Sequence, residues 1–137
     1  MSLIEWDDSM SVGVASLDAQ HKELIATADE FAKAFFDGNS QQVMGRILSR
    51  LIAFTKTHFQ AEENLMIQYG FEGFYQHREE HKELTRQILE LQERHENGDR
   101  NVPVETFNFL RIWFMHHILE IDMLYKEFFV EQGVDLE

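Results

Sequence analysis

The sequence predicts an all-α fold, an antiparallel up-down four-helix bundle preceded by an extended N-terminal arm. Three observations carry this expectation. Four stretches place apolar residues at alternating steps of three and four, the spacing that keeps side chains on one helix face. The breaks between them are short and rich in Gly, Asn or Asp, and brief links make sequential helices run in opposite directions. Histidines and carboxylates interrupt the apolar stripes themselves, so polar chemistry is aimed at the inside of the bundle.

Residues from Met1 to about Ser16 hold Trp6, Asp7, Asp8 and Gly13 with little helical period, and read as an arm whose Trp6 packs on the bundle. The first helix starts near Ser16, a good N-cap, and carries Leu17, His21, Leu24, Ala28, Phe31 and Phe35 before Asp37-Gly38-Asn39 ends it. The second, capped by Ser40, carries Val43, Ile47, Leu51, Phe54, His58, Glu62, Leu65 and Tyr69 and stops at Gly70. The third begins near Phe74, sets His77, His81, Leu84, Ile88, Leu91 and His95 on one face, and ends at Asn97-Gly98. The fourth opens at Pro103, a residue suited to a helix start, and runs Phe107, Leu110, Phe114, His117, Ile121, Leu124 and Phe128 to Gln132-Gly133.

At 137 residues the chain is sized for one domain, read here as residues 1–137, with no internal repeat, linker or low-complexity tract. Twenty-five acidic against 12 basic residues give a net charge of -13, which argues against nucleic acid or an anionic membrane surface as partner. The first residues lack a basic start and a signal-length apolar run, and no apolar run approaches a membrane span, so the chain reads as soluble, unexported and cytoplasmic. It holds no cysteine, which fits a reducing compartment and removes thiolate and iron–sulfur ligation.

Seven residues are candidate metal ligands: His21, His58, Glu62, His77, His81, His117 and Asp122. A lone histidine on an apolar face is more often a core residue bonded to a carbonyl or water than a ligand. Here the histidines and Glu62 fall together on the stripes of all four helices, and His58/Glu62 and His77/His81 each stack four apart on one face. Glu62 and Asp122 inside a bundle demand a compensating cation, because an unpaired buried carboxylate costs several kcal/mol. Imidazole with carboxylate suits iron, zinc, copper or manganese. If both carboxylates bridge two ions together with one solvent-derived oxygen, five histidines divide as three and two. One ion is then six-coordinate and the other five, with a single open position for a small diatomic ligand. Hydrolytic two-metal sites are richer in carboxylate and need a polar cleft. Ferritin-like oxidases need Glu-x-x-His steps, which this sequence lacks.

His95, 14 residues beyond His81, is too far to join, and His116 is one step off the stripe that carries His117. Met10, Met44, Met66, Met115 and Met123 read as core or rim residues, Phe59, Trp113 and Phe114 as walls beside the ligands, and Glu63 as outward-facing. His117 and Asp122 are five apart, about 140° on an ideal helix. Either the side chains wrap the metal pair from both flanks, or the helix widens into a π-bulge. The unbroken stripe from Phe114 through Phe128 favours the wrap, since a bulge would shift its later half.

Several segments together resemble the hemerythrin family, over nearly the whole chain. They are the opening from Ile4-Glu5-Trp6-Asp7-Asp8 to Val14, Leu17-Asp18-Ala19-Gln20-His21-Lys22-Glu23-Leu24, His58-Phe59-Gln60-Ala61-Glu62-Glu63, His77-Arg78-Glu79-Glu80-His81, and the stretch from Trp113 to Asp122. The resemblance implies two iron ions in an oxo- or hydroxo-bridged non-haem centre that binds O2 reversibly. It implies that His77, His81 and His117 hold the six-coordinate iron, His21 and His58 the open one, and that Glu62 and Asp122 bridge. A monomeric O2 carrier, store or deliverer to an O2-consuming enzyme is the expected role. No enzymatic activity is expected of it, the alternatives being an O2 or redox sensor and a di-iron peroxidase or NO reductase. The chain's end shortly after the fourth helix leaves no room for an output domain and favours the carrier. Phe114 and His116 depart from the family's more usual leucine and smaller polar residue, which bears on pocket size and autoxidation.

Overall fold

The computed structural model describes residues 5–113, 116–117 and 122–133. Within them a 3₁₀ turn, Asp8–Met10, precedes α1 (Ala15–Phe36), α2 (Ser40–Tyr69), α3 (Phe74–Glu96), α4 (Val102–Ile112) and α5 (Met123–Glu131). α4 and α5 are two lengths of the fourth bundle helix. α1 packs on α2, α2 on α3, α3 on α4, and α4 returns to α1, which closes the antiparallel four-helix bundle the sequence predicts. No helix among the described residues is long and apolar enough to cross a membrane.

The stripes bury as their spacing requires along most of α1 and α3: Leu17, His21, Leu24, Ala28 and Phe31, then His77, His81, Leu84, Ile88 and Leu91, are all buried, while Phe35 and His95 at the far ends of the stripes are only half-buried. On α2 the inner face is broader than one stripe. Met44, Leu48, Phe59 and Met66 join Ile47, Leu51, His58 and Glu62 inside, while Val43, Phe54, Leu65 and Tyr69 are only half-buried. α2 stops at Gly70 in a left-handed turn (φ 73°), whose N–H bonds back to Ile67 and Met66 while the Phe71 N–H also reaches the Met66 carbonyl. Pro103 sits in the first turn of α4, where no helical N–H is missed.

Two apolar clusters result. The larger joins Leu24, Phe31, Ile47, Leu51, Phe59, Leu84, Ile88, Leu110 and Trp113, and the smaller joins Val12, Val14, Leu17, Met66, Tyr125 and Phe129. Along every helix the histidines and carboxylates fall between members of the two clusters or at their edge: His21 lies between Leu17 and Leu24, and Glu62 between Phe59 and Met66. The candidate ligands thus form a polar layer sandwiched by apolar ones.

The arm is fastened to this frame. Val12 and Val14 are buried, the Val12 N–H donates to Asp18 Oδ1 (2.9 Å), and the Ser11 hydroxyl donates to Asp18 Oδ2 (2.5 Å). Asp18 in the first turn of α1 therefore does the anchoring that the sequence assigned to a Ser16 cap; the helix begins at Ala15, and its N-cap Val14 makes no side-chain bond. Ser40 likewise lies inside α2, with Asn39 at the cap position. Trp6 packs on the larger cluster as expected, with the Lys22 ammonium 4.8 Å above its ring.

The fourth helix departs from expectation. Trp113, His116 and His117 lie in a π-helical turn, and the Asp122 N–H bonds to the His117 carbonyl at 2.7 Å, five residues back. The wrap is therefore wrong and the bulge is present. Its extra residue rotates everything downstream by one position. Buried residues run Thr106, Leu110, Trp113, His117 and then Asp122, Tyr125, Phe129, whereas Leu124 is 66% exposed and Phe128 only half-buried. Phe114, Met115 and Ile121 lie outside the described residues.

Gly13 and Gly45 test the frame in opposite directions. Gly13 has φ +79°, and a Cβ there would stand 2.6 Å from Val130 Cγ2, so Gly13→Ala should destabilise by about 1–3 kcal/mol and loosen the arm from α5. Gly45 is an exposed position inside α2 where a Cβ meets only His95, 3.6 Å away at Nε2. Gly45→Ala should stabilise by about 0.5–1 kcal/mol. Urea unfolding of both variants against the parent checks the pair.

Candidate metal centre

Each helix of the bundle delivers its polar residues to one layer. α1 contributes His21, α2 His58 and Glu62, α3 His77 and His81, and the fourth helix His117 and, across the π turn, Asp122; all are 3% exposed or less. The wide turn matters here, because five residues of α-helix would have aimed His117 and Asp122 about 140° apart. Their donor atoms stand 3.0 Å apart instead, His117 Nε2 to Asp122 Oδ1.

The donor atoms form two groups. One holds Glu62, His77, His81, His117 and Asp122; the other holds His21, His58, Glu62 and Asp122; within each group the atoms lie within 4.8 Å of one another. Both carboxylates belong to both groups. Asp122 divides its oxygens, with Oδ1 2.9 Å from His77 Nε2 and Oδ2 3.1 Å from His21 Nε2. Glu62 Oε1 stands 3.0 Å from His81 Nε2 and 3.4 Å from His58 Nε2. Nε2 of His21 and His58 are 2.9 Å apart.

These separations fit metal. Donors about 2.1 Å from one ion and at right angles stand about 3.0 Å from each other. Despite their proximity, Nε2 of His77, His81 and His117, Oε1 of Glu62 and both oxygens of Asp122 are buried without any hydrogen bond. Orphaned buried groups of this kind are costly without a cation.

Without metal, protons fill part of that role. Burial alone pushes the His77 and His117 imidazoliums down, but the adjoining carboxylates outweigh it. Asp122 and Glu62 raise His77 to about 9, and Asp122, Glu80 and Glu62 raise His117 to about 10. Asp122 raises His21 in the same way against burial. Burial would raise Glu62 and Asp122, yet the imidazoles around them hold both carboxyls well below the usual range. His58 is the exception, with burial dominating and its pKa lowered.

The surrounding side chains fix the layer. Phe59 stacks on His81 with ring centres 3.8 Å apart and planes 2° from parallel, and Phe54 stacks on His58 at 5.0 Å. Trp113 closes behind both phenylalanines, so Phe59 and Trp113 are walls as expected, and Phe54 is a third. His116 is exposed, 3.7 Å from Glu80, and His95 lies against Gly45; neither belongs to the two groups.

Three polar contacts escaped the sequence reading. The buried Tyr125 hydroxyl donates to Glu62 Oε2, and burial together with the two carboxylates pushes its phenol far up, so the proton stays on Tyr125. His58 Nδ1 bonds Gln20 Oε1 at 2.6 Å. His81 Nδ1 bonds Glu63 Oε2 at 2.8 Å, so Glu63 does not simply face outward. The available signal was position: Gln20 and Glu63 each sit one residue from a candidate ligand, with side chains long enough to reach round the helix.

Known proteins share this fold. A family model described as the hemerythrin HHE cation binding domain matches residues 12–129. The bacteriohemerythrin of Methylococcus capsulatus is 30% identical over 126 residues, which span 91% of this chain and 95% of that protein. A hemerythrin-like protein of Naegleria gruberi is 31% identical over 125 residues, spanning 91% and 92%. The crystal structure of a wild-type hemerythrin superposes with a TM-score of 0.83 at 29% identity, over 92% of this chain and 97% of that one. That of a hemerythrin point mutant gives 0.84 at 30% identity, over 93% and 97%. By the family model, the relatives and the fold together, the chain belongs to the hemerythrin family of di-iron, O2-binding proteins.

Proposed function

We propose that His21, His58, Glu62, His77, His81, His117 and Asp122 hold two iron ions, and that the chain, as one monomeric hemerythrin-like domain in the cytoplasm, binds O2 reversibly to carry, store or deliver it. The observation that carries this reading is the sharing of Glu62 and Asp122 by two donor groups, one with three histidines and one with two. That division leaves one position fewer filled on the His21–His58 side. When bound, the iron pair supplies the electrons that O2 uptake at such a position draws on. The chain's own residues do the rest. Phe54, Phe59 and Trp113 keep water from the layer, and Tyr125 holds Glu62 with a proton that it does not give up. Neither a sensor nor a peroxidase has an observation of its own in its favour.

Iron analysis of protein expressed with ample iron should give about two per chain. The spectrum of the reduced protein should change on admitting air and revert on removing O2. One iron, stoichiometric zinc, or steady peroxide or NO turnover in place of reversal would overturn the proposal. Asp122→Ala removes an oxygen from both donor groups at once, so it should abolish the coupled pair; normal iron content with unimpaired reversible O2 binding would refute the bridging role.

Metal must also displace protons. At pH 7, loading metal-free protein with ferrous iron should release at least two protons, from His77 and His117, and iron affinity should fall as pH drops. Because both pKa values are raised on folding, their contribution to the metal-free fold is complete below about pH 6.5 and is lost as pH rises through 9 to 10. The Tm of the metal-free protein should therefore decline across that window, while the iron-loaded protein should not show that decline. Parallel pH series of thermal melts, with and without iron, decide the matter.

A further inference from the structure

His58 and His81 each turn one ring nitrogen into the polar layer and give the other to a partner, and the two partners differ in charge. His58 Nδ1 meets the amide oxygen of Gln20 at 2.6 Å, whereas His81 Nδ1 meets the carboxylate of Glu63 at 2.8 Å. Both partners accept through these oxygens, so each ring carries its proton on Nδ1 and keeps Nε2 as the inward donor. His21 Nε2, 2.9 Å from His58 Nε2, can donate into that lone pair in the metal-free protein, which is consistent with the same tautomer.

The consequence lies in donor strength. A carboxylate draws the Nδ1 proton towards itself and makes the imidazole the stronger metal ligand; a neutral amide does this less. Glu62 and Asp122 serve both donor groups and cannot distinguish them. The outer partners can, since Gln20 touches a histidine of one group and Glu63 a histidine of the other. Both reach the layer from the surface. Gln20 and His58 line a groove of about 260 Å³ between α1 and α2, and Glu63 and His81 line one of about 250 Å³ between α2 and α3.

We propose that Gln20 and Glu63 are positioning residues that fix the tautomers of His58 and His81 and give the two metal positions unequal donor strength, leaving the His21–His58 position the electron-poorer. The inference rests on the ligand assignment proposed above. A weaker donor set favours the ferrous state, so the position with the spare site is the one that resists losing its electron.

The test uses iron-loaded protein and two near-isosteric exchanges, Gln20→Glu and Glu63→Gln, with iron content and midpoint potential measured for each. Gln20→Glu should lower the potential and Glu63→Gln should raise it. Each shift should correspond to about a tenfold change in the ratio of ferric to ferrous affinity, or about 59 mV for a one-electron couple. A merely structural role moves stability and produces no shifts of opposite sign. Two irons per chain with unshifted potentials, or with shifts of the same sign, would overturn this inference and leave the ligand assignment standing. A parent protein without two irons would overturn both. Loss of iron from both variants while their helical content is intact would also overturn it, because a tuning role leaves the centre loadable.

Discussion

Two carboxylates without access to water govern this molecule. Glu62 and Asp122 are both 0% exposed, and between them lie the inner nitrogens of five imidazoles. Burying either anion alone would cost more than a domain of this size can spare. The sequence answers with cations: protons on His77 and His117 when metal is absent, and metal when it is present. Much else follows from that requirement. Four helices are needed because no single helix face can surround two carboxylates with five rings. Apolar clusters above and below the layer exclude the water that would otherwise screen the charges.

The π turn is the structural cost of bringing Asp122 into the layer. A regular helix through this stretch would continue the earlier stripe and bury Leu124 and Phe128, leaving Asp122 turned away from His117. With one residue inserted, Asp122, Tyr125 and Phe129 take the inner face together. The same rotation that delivers one bridging candidate therefore also delivers Tyr125, whose hydroxyl secures the other, and Phe129, which seals the smaller cluster. A single irregularity thus serves three residues, and losing it would displace all three.

What the sequence could disclose follows the same physics. Periodicity disclosed the bundle, because burial on α1 and α3 depends only on spacing, and Leu17 through Phe31 and His77 through Leu91 behaved as spacing dictates. All seven candidate ligands come together in one layer, six of them from the stripes that spacing marks and Asp122 through the π turn that brings it back into phase. The phase of Leu124 and Phe128 was misread because a stripe of apolar residues continues smoothly through the bulge, and only the demand of a buried carboxylate breaks the tie. Gln20, Glu63 and Tyr125 were missed for a different reason. Their roles lie in the reach of a side chain round or across a helix, and helical period describes only where a side chain starts.

The outer contacts separate tuning from access. Surface grooves reach His58 and His81 on the sides where Gln20 and Glu63 sit, while Phe54 and Phe59 stack on the two rings. Polar neighbours can therefore alter the electron density of a ring without admitting water to the side that meets the ions. Tyr125 and Asp18 extend this division of labour along the bundle: the first meets Glu62 within the buried layer, the second bonds the arm that closes the smaller cluster. In such a design the rings transmit charge and block solvent at once. Substitutions at the outer edge should then change how strongly the centre holds electrons, and substitutions among the stacked aromatics should change what reaches it.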